Sequence, residues 1–425
     1  MSSSSGFAWG EGPMRGVNIG GWLVLEPWIK PSMFEGKPDW VIDERTYGAY
    51  WRSTNYTLGF GEVEGHWGSW IVRKDFEDIK RLGLNTVRIP IGFWSIIPLG
   101  PDEPFMTGAF EYLQRAVVWC RDIGLAVMID LHGVPSGQNG FDNSGSTNSR
   151  SWFINTTSIQ RTLSAITILA QEFTASSYGG TVVAIELVNE PFPYGDNEVQ
   201  ALRAFYEDGY GLIRGVDERV AVVISDAFRK LREWEGFMPS NRYNRVVLDT
   251  HIYSMFTIEL VEQGYTDKLR TFCDKLPELV QSNQNVWTVV GEFTTASTDC
   301  AAYLNGRGKG ARWDSTTDPS PTNLTGNCRG KTGSGADFSN EYTDYLARSF
   351  ETQTWIYEQA SGWIYWCWKT ESASEWAFQD GVTYGWIPQP LWDKPATLGQ
   401  PCQFNGSAQS IENGSPPFTT PDTFR

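Results

Sequence analysis

Two glutamates in this chain stand at the ends of apolar runs, where carboxylates can do chemistry. Ala184-Ile185-Glu186-Leu187-Val188-Asn189-Glu190-Pro191 continues a β-branched run and closes in an Asn-Glu pair stopped by proline. Val286-Trp287-Thr288-Val289-Val290-Gly291-Glu292-Phe293 is a second apolar run closing in a glutamate. Continuous apolar runs of this kind read as parallel strands buried on both faces. Each delivers a carboxylate at the C-terminal end of a strand. Two carboxyl groups, one protonated over a leaving oxygen and one ionised beneath an anomeric carbon, are what glycosidic bond cleavage needs.

Other polar residues fall at similar places. Arg88 sits inside Val87-Arg88-Ile89-Pro90-Ile91. A lone guanidinium there demands a carboxylate partner, and one of the two glutamates is the candidate. Arg88 would keep that carboxylate ionised, and Tyr253 would donate a hydrogen bond to it. The acid needs a raised pKa, from partial burial and a neighbouring negative charge. Asn189 can hold a sugar 2-hydroxyl. His132 and His251, at the ends of runs 125–132 and 245–253, can donate to sugar hydroxyls or to the glutamates. Trp366 offers an apolar floor, and strand parity puts it on one face with Trp368. Glu26, in an aromatic stretch, reads equally as a rim ion pair or as an acceptor for a sugar hydroxyl. Glu186 shares parity with Glu190 and is a buried charge of unnamed partner. His132 and His251 lack HxxxH-type spacing, so no metal is expected.

Eight strands are expected, over 15–20, 85–91, 125–132, 182–188, 219–224, 245–253, 286–293 and 362–369. Helices are expected between them, over 67–82, 108–123, 158–173, 197–213 and 338–360. This alternation predicts an α/β fold, one (β/α)₈ TIM barrel with elaborated βα loops, spanning 1–425 as a single catalytic domain. A doubly wound open sheet lacks the glycine-rich phosphate loop it would need. Strand ends of a barrel converge on one face, which gathers the residues named above. Residues up to about 65 read as a polar loop. Residues 133–145 read as a site-lining glycine-rich loop, 294–337 as a long insertion, and the tail as an irregular wrap.

The bulk numbers agree with this chemistry. With 34 basic and 50 acidic side chains the net charge is −16, which argues against nucleic acid and anionic membranes. No apolar stretch approaches the roughly 20 residues of a membrane span. The chain has 20 Trp, 17 Tyr and 23 Phe, more than a core alone calls for and suited to pyranose faces. Cys120 and Cys367 read as buried thiols. The other four cysteines lie in loop-like stretches and can form two disulfides, with Cys300 and Cys328 stapling the long insertion. Five Asn-x-Ser/Thr sequons occur, at Asn55, Asn155, Asn323, Asn405 and Asn413. Cysteines and sequons together indicate a secretory route. The first residues, Met1-Ser2-Ser3-Ser4-Ser5, carry no signal peptide and read as the start of a mature chain.

Several longer runs carry a family likeness. They are Arg15 to Pro27, Val87 to Gly92, Ile129 to Gly133, Ser136 to Gly145, Asn189-Glu190-Pro191 and Trp366 to Glu371. These resemble the fungal exo-β-1,3-glucanases of glycoside hydrolase family 5, over nearly the whole chain. Asn-Glu-Pro alone is unspecific; the runs Gly20 to Pro27 and Gln138 to Gly145 are more particular to this subgroup.

The resemblance implies a retaining mechanism with Glu190 as acid/base and Glu292 as nucleophile. It implies that Glu26, Arg88, His132, Asn189, His251, Tyr253 and Trp366 line the terminal-glucose subsite. It places Phe141 and Phe256 at the entrance as an aromatic clamp, with Asp142 nearby. It implies disulfides Cys273–Cys402 and Cys300–Cys328 and no cofactor. The expectation is a secreted monomer acting on β-glucan or a β-glucoside, with possible transglycosylation. Trp28, Phe293, Asp249-Thr250-His251 and Phe192-Pro193-Tyr194 depart from the subgroup's usual pattern. They keep a second substrate class open, that of small glycosides, diglycosides or β-1,6-linked glucosides. A non-catalytic sugar-binding barrel is disfavoured because both carboxylates are present.

Overall fold

The structure, a computed structural model, describes residues 7–317, 324, 326–391 and 401–402. Its eight strands are β1 (Met14–Asn18), β2 (Thr86–Gly92), β3 (Ala126–Gly133), β4 (Val182–Glu186), β5 (Ala221–Ser225), β6 (Val246–Ile252), β7 (Trp287–Phe293) and β8 (Gly362–Tyr365). They close in chain order into one parallel barrel, β8 pairing back onto β1. The strand positions and the (β/α)₈ architecture are those the apolar runs predict. All residues of β2, β3 and β7 are buried, as parallel strands covered on both faces must be.

The helices depart more. The region expected to be a polar loop holds α1 (Glu44–Thr54) and most of α2 (Tyr56–Ser69). Asp43 caps α1 in a capping box with Thr46, and Asn55 caps α2 through Leu58 N. Four glycines in α2, Gly59, Gly61, Gly65 and Gly68, hide it from propensity. Packing overrides them: a Cβ on Gly59 would sit 2.1 Å from the Trp51 ring of α1. The helix expected over 67–82 is therefore two pieces, α2 and α3 (Arg73–Arg81). The break falls where Asp75 accepts from Val72 N at 2.8 Å. The remaining longer helices are α4 (Ala109–Ile123), α5 (Thr156–Phe173), α6 (Asp196–Val216), the single turn α7 (Ile258–Val261), α8 (Tyr265–Cys273), α9 (Leu276–Asn285) and α10 (Asn340–Tyr357). On α6 Leu202, Phe205, Tyr206 and Ile213 face inward, while Leu212 is exposed.

The barrel interior is layered. At the bottom lie Met14, Ala126, Met128, Ala184, Val223, Val247, Val289 and Ile364, all buried. Trp9 closes this end, its ring stacked on Trp287 at 5.2 Å and its Nε1 donating to Val183 O at 3.1 Å. Above comes a polar layer of Asn18, Arg88, Asp130, Glu186 and Asp249, also buried. The strand ends and their loops cap it.

Parity fails in one place. β8 stops at Tyr365, so Trp366 and Trp368 do not share a face. Trp366 stacks on His132 above the barrel, whereas Trp368 Nε1 donates to Asp75 of α3 at 2.8 Å. Beyond Tyr365 the regular ladder is interrupted: Trp366 N still donates to Phe293 O of β7 at 2.8 Å and Trp368 N to Asn18 O of β1 at 2.9 Å, but Cys367 N between them turns to Trp376 O at 2.8 Å.

The structure contains the disulfides Cys273–Cys402 and Cys300–Cys328, and Cys120 and Cys367 are buried free thiols. Closing a loop of 28 residues at Cys300–Cys328 removes unfolded-state entropy worth roughly 3–4 kcal/mol. Within this insertion Asp299 accepts from Asn305 Nδ2 and from the backbone of Arg312 and Trp313. Most of the tail expected to wrap the barrel, 392–400 and 403–425, lies outside the described residues.

Several buried carboxyls make stability depend on pH. Burial pushes Glu375 up to about 8, and neither of its carboxyl oxygens has a hydrogen-bond partner among the described residues. It pushes Glu44 up to about 8 although Leu25 N and Trp94 Nε1 donate to it. An unfolded glutamate titrates near 4.3, so folding takes up protons, and stability present at acid pH is lost as pH rises towards 8. The melting temperature is expected to fall between pH 5 and pH 8. Glu375→Gln should stabilise the protein at pH 8 relative to its effect at pH 5. A calorimetric series showing no slope, or the same effect at both pH values, refutes this account.

Candidate active site

Arg88, on β2, is the hub. Its side chain is wholly buried and reaches five acceptors. Nε donates to Glu186 Oε2 at 2.8 Å, Nη1 to Asn18 Oδ1 at 2.9 Å and to Glu292 Oε1 at 3.0 Å, and Nη2 to Asn189 Oδ1 at 2.8 Å. Nη2 also lies 3.1 Å from Asp130 Oδ2. A guanidinium has five N–H donors in a rigid fork, and these acceptors match them. Burial opposes its charge, but Asp130, Glu186, Glu292 and Asp249 outweigh burial and hold Arg88 protonated.

Glu292, near the end of β7, accepts from Arg88 through Oε1 and from Tyr253 Oη through Oε2 at 2.8 Å. The strand can carry it there because residue 291 is glycine. A Cβ at that position would lie 2.1 Å from Asp249 Oδ2, and Gly291 N donates to Asp249 Oδ1 at 2.7 Å. Glu190 lies four residues beyond β4. Its Oε1 is 2.8 Å from His251 Nδ1, and its Oε2 accepts from Asn143 Nδ2 at 2.9 Å. Its φ of 44° is in the left-handed region, which costs a non-glycine residue energy. Gln138 holds the segment in place: its Nε2 donates to His132 O at 2.8 Å and to Asn189 O at 3.0 Å, joining the ends of β3 and β4.

Glu190, His251 and Glu292 each bring one carboxylate oxygen or ring nitrogen within 4.8 Å of the others. Such a trio can hold a cation. Both oxygens of each glutamate face nitrogen or hydroxyl groups.

The charges are distributed differently from the expected pattern. Burial pushes Glu190 up, but hydrogen bonds from His251 and Asn143 bring it below the usual carboxylate range. Burial pushes Glu292 up too; the charge of Glu190 adds to this, and His251 and Arg88 do not cancel it. Burial alone would lower His251, yet the charges of Glu292 and Asp249 raise it well above the ordinary imidazole range. The ligand-free site therefore stores its proton on His251, beside Glu190.

The other expected residues sit around this centre. His132 Nδ1 is 2.5 Å from Asp130 Oδ2, and its ring stacks on Trp366 with centroids 5.6 Å apart. His132 Nε2 and Asn189 Nδ2 are buried without a hydrogen-bond partner among the described residues. Glu26 is buried, accepts from Trp28 Nε1 at 3.0 Å, and is pushed well up by burial and by Asp142 and Glu292. Asp142 is half-buried and is pushed up to about 7, mainly by burial. Phe141 and Phe256, 40% and 39% exposed, stand on the loops after β3 and β6. Phe141 packs against Phe192 at 6.1 Å and Phe228 at 6.2 Å; Phe256 packs against Tyr253 at 5.3 Å.

Asn18, Asp130, Asn143 and Asp249 escaped the sequence reading, and Glu186 lacked a partner. Two had a signal. Asp130-x-His132 and Asp249-x-His251 repeat one spacing, which puts each carboxylate below the imidazole on the inward face of its strand. His251 Nε2 is 3.5 Å from Asp249 Oδ2. Asn143 had none, since only the folded loop brings it to Glu190.

The chain is similar to several known proteins. The family model for cellulases of glycosyl hydrolase family 5 matches residues 51–316. A glucan 1,3-beta-glucosidase of Blumeria graminis is 42% identical over 385 residues, covering 89% of this chain and 87% of its own length. One from Candida oleophila is 40% identical, covering 90% of each. Among solved structures, rutinosidase from Aspergillus niger superposes with a TM-score of 0.70 at 17% identity, covering 89% of this chain and 99% of that one. That last likeness is one of fold. On the family model and the two relatives, the chain belongs to glycosyl hydrolase family 5.

Proposed function

We propose that the protein is a secreted, retaining β-glucosidase that releases glucose from the non-reducing ends of β-1,3-glucan, and that residues 1–425 act as one monomeric catalytic unit. The observation that carries this reading is the spacing of the two glutamates, with one oxygen of each within 4.8 Å. Retaining glycosidases hold their carboxyls about 5–5.5 Å apart; inverting ones leave about 6.5–9.5 Å for a water. The names of the relatives support the substrate. The two disulfides and the sequons support secretion.

In this reading Glu292 attacks the anomeric carbon and forms an ester while the glycosidic bond breaks. Arg88 and Tyr253 keep it anionic and aimed. Glu190 gives its proton to the departing oxygen. It obtains that proton from His251 across 2.8 Å. Glu190 then takes a proton from water, which attacks the same carbon and frees glucose and Glu292. A sugar hydroxyl in place of water gives transglycosylation. His132 Nε2 and Asn189 Nδ2, without a hydrogen-bond partner among the described residues, meet hydroxyls of the terminal glucose.

Digestion of laminarin should yield glucose from the outset, as the β-anomer by NMR. Longer oligomers appearing first, or α-glucose as the initial product, would sink the proposal. Faster release from flavonoid glycosides or β-1,6-glucosides than from laminari-oligosaccharides would instead favour the second substrate class. Glu190→Gln should cost about 10²–10⁴-fold in kcat, less with a 2,4-dinitrophenyl leaving group. Glu292→Gln should abolish turnover yet still bind sugar in calorimetry.

The raised His251 and Glu292 set the pH profile. Activity should fall in acid as Glu292 takes up a proton, and fall in alkali as His251 loses one. His251→Gln leaves burial acting on Glu190 without a cationic neighbour. Its alkaline limb then belongs to Glu190 alone and moves to lower pH. An unmoved limb in that variant would show that His251 is not the proton store.

A further inference from the structure

A groove outside the glutamate site opens between α1 and α2. With the preceding loop they enclose about 870 Å³ lined by Lys37, Trp51, Asn55, Thr57, Leu58 and Glu62. Its base is braced. Gly59 lets α2 close onto the Trp51 ring, and Lys37 Nζ lies over that ring at 5.4 Å while bonding Glu62 Oε1 at 3.0 Å. An indole face beside a charged pair, with Leu58 exposed at the rim, suits a sugar ring and its hydroxyl or amide groups. Asn55, on the groove wall, is exposed and heads the sequon Asn55-Tyr56-Thr57. It caps α2 through Oδ1, which accepts from Leu58 N at 3.1 Å, so the cap does not use Nδ2.

We propose that Asn55 is an N-glycosylation site and that the first N-acetylglucosamine of its glycan seats in this groove against Trp51. In the secretory pathway the Asn55 amide nitrogen loses a proton and bonds the anomeric carbon of a lipid-linked oligosaccharide, whose lipid diphosphate leaves. The glycan's root then starts at the groove wall and has no distance to span. The groove supplies an apolar platform and a Lys37–Glu62 pair for the acetamido group. The sugar in turn covers apolar surface of α1 and α2.

The test uses full-length protein secreted from a eukaryotic host. Peptide mass spectrometry should find an N-acetylhexosamine-rooted glycan on Asn55, and peptide N-glycosidase F should convert that residue to aspartate. An unmodified Asn55 overturns the site. Thr57→Ala removes the sequon and leaves the cap. It should melt about 1–2 °C below wild type. The gap should close once both are treated with peptide N-glycosidase F, since aspartate caps a helix as well as asparagine. It should persist after endoglycosidase H, which leaves one N-acetylglucosamine. Trp51→Ala should erase the gap. A glycosylated Asn55 with no gap between wild type and Thr57→Ala refutes the seating in the groove.

Discussion

One buried guanidinium sets the geometry of this barrel. Arg88 lies in the middle of an apolar strand, where an unpaired cation costs several kcal/mol. It is tolerable only because Asn18, Asp130, Glu186, Asn189 and Glu292 converge on it from β1, β3, the β4 segment and β7. Strand closure and site assembly are thus one event. The pairing that brings Asn18 beside Arg88 in register also delivers Glu292 to the fork. In the proposed reading, a nucleophile held by a rigid donor loses little freedom when substrate arrives.

The same low-dielectric layer explains where the proton sits. Asp130, Glu186 and Asp249 share this layer with one guanidinium, and the charges of Asp249 and of Glu292 above it strongly stabilise the next cation upward, His251. Both glutamates feel the charge of His251, but Glu190 also takes its hydrogen bond, whereas burial and the charge of Glu190 hold Glu292 up. Two carboxyls of one kind come to differ through their surroundings, as acid/base pairs must. The difference runs through a histidine, so in the proposed reading the acid is charged by relay rather than by a carboxyl pKa raised on its own.

Sequence alone carried the strands well, because burial on both faces leaves an unbroken β-branched run. It carried Glu190, Glu292 and Arg88 because a charge in such a run is conspicuous. It missed α1 and α2, where glycines lower propensity and packing against Trp51 decides. It offered one of the two glutamates as the partner of Arg88, and Glu292, 204 residues away, is one; it missed Asn18, Glu186 and Asn189, which lie 70, 98 and 101 residues away. No local period encodes those distances; closure of the barrel does. Trp368 went to the wrong face because alternation was carried past the last ladder residue of β8.

The packed floor has a kinetic consequence. Beneath Arg88 the barrel is filled by apolar side chains and closed by Trp9 against Trp287. In the proposed reading, the released sugar therefore has no rear exit among the described residues and leaves by the mouth through which the chain entered. The shortened polymer must back away before the monosaccharide can follow. Such an enzyme works distributively, one encounter per bond. While it waits, the unit held on Glu292 faces whatever next occupies the mouth, water or another sugar.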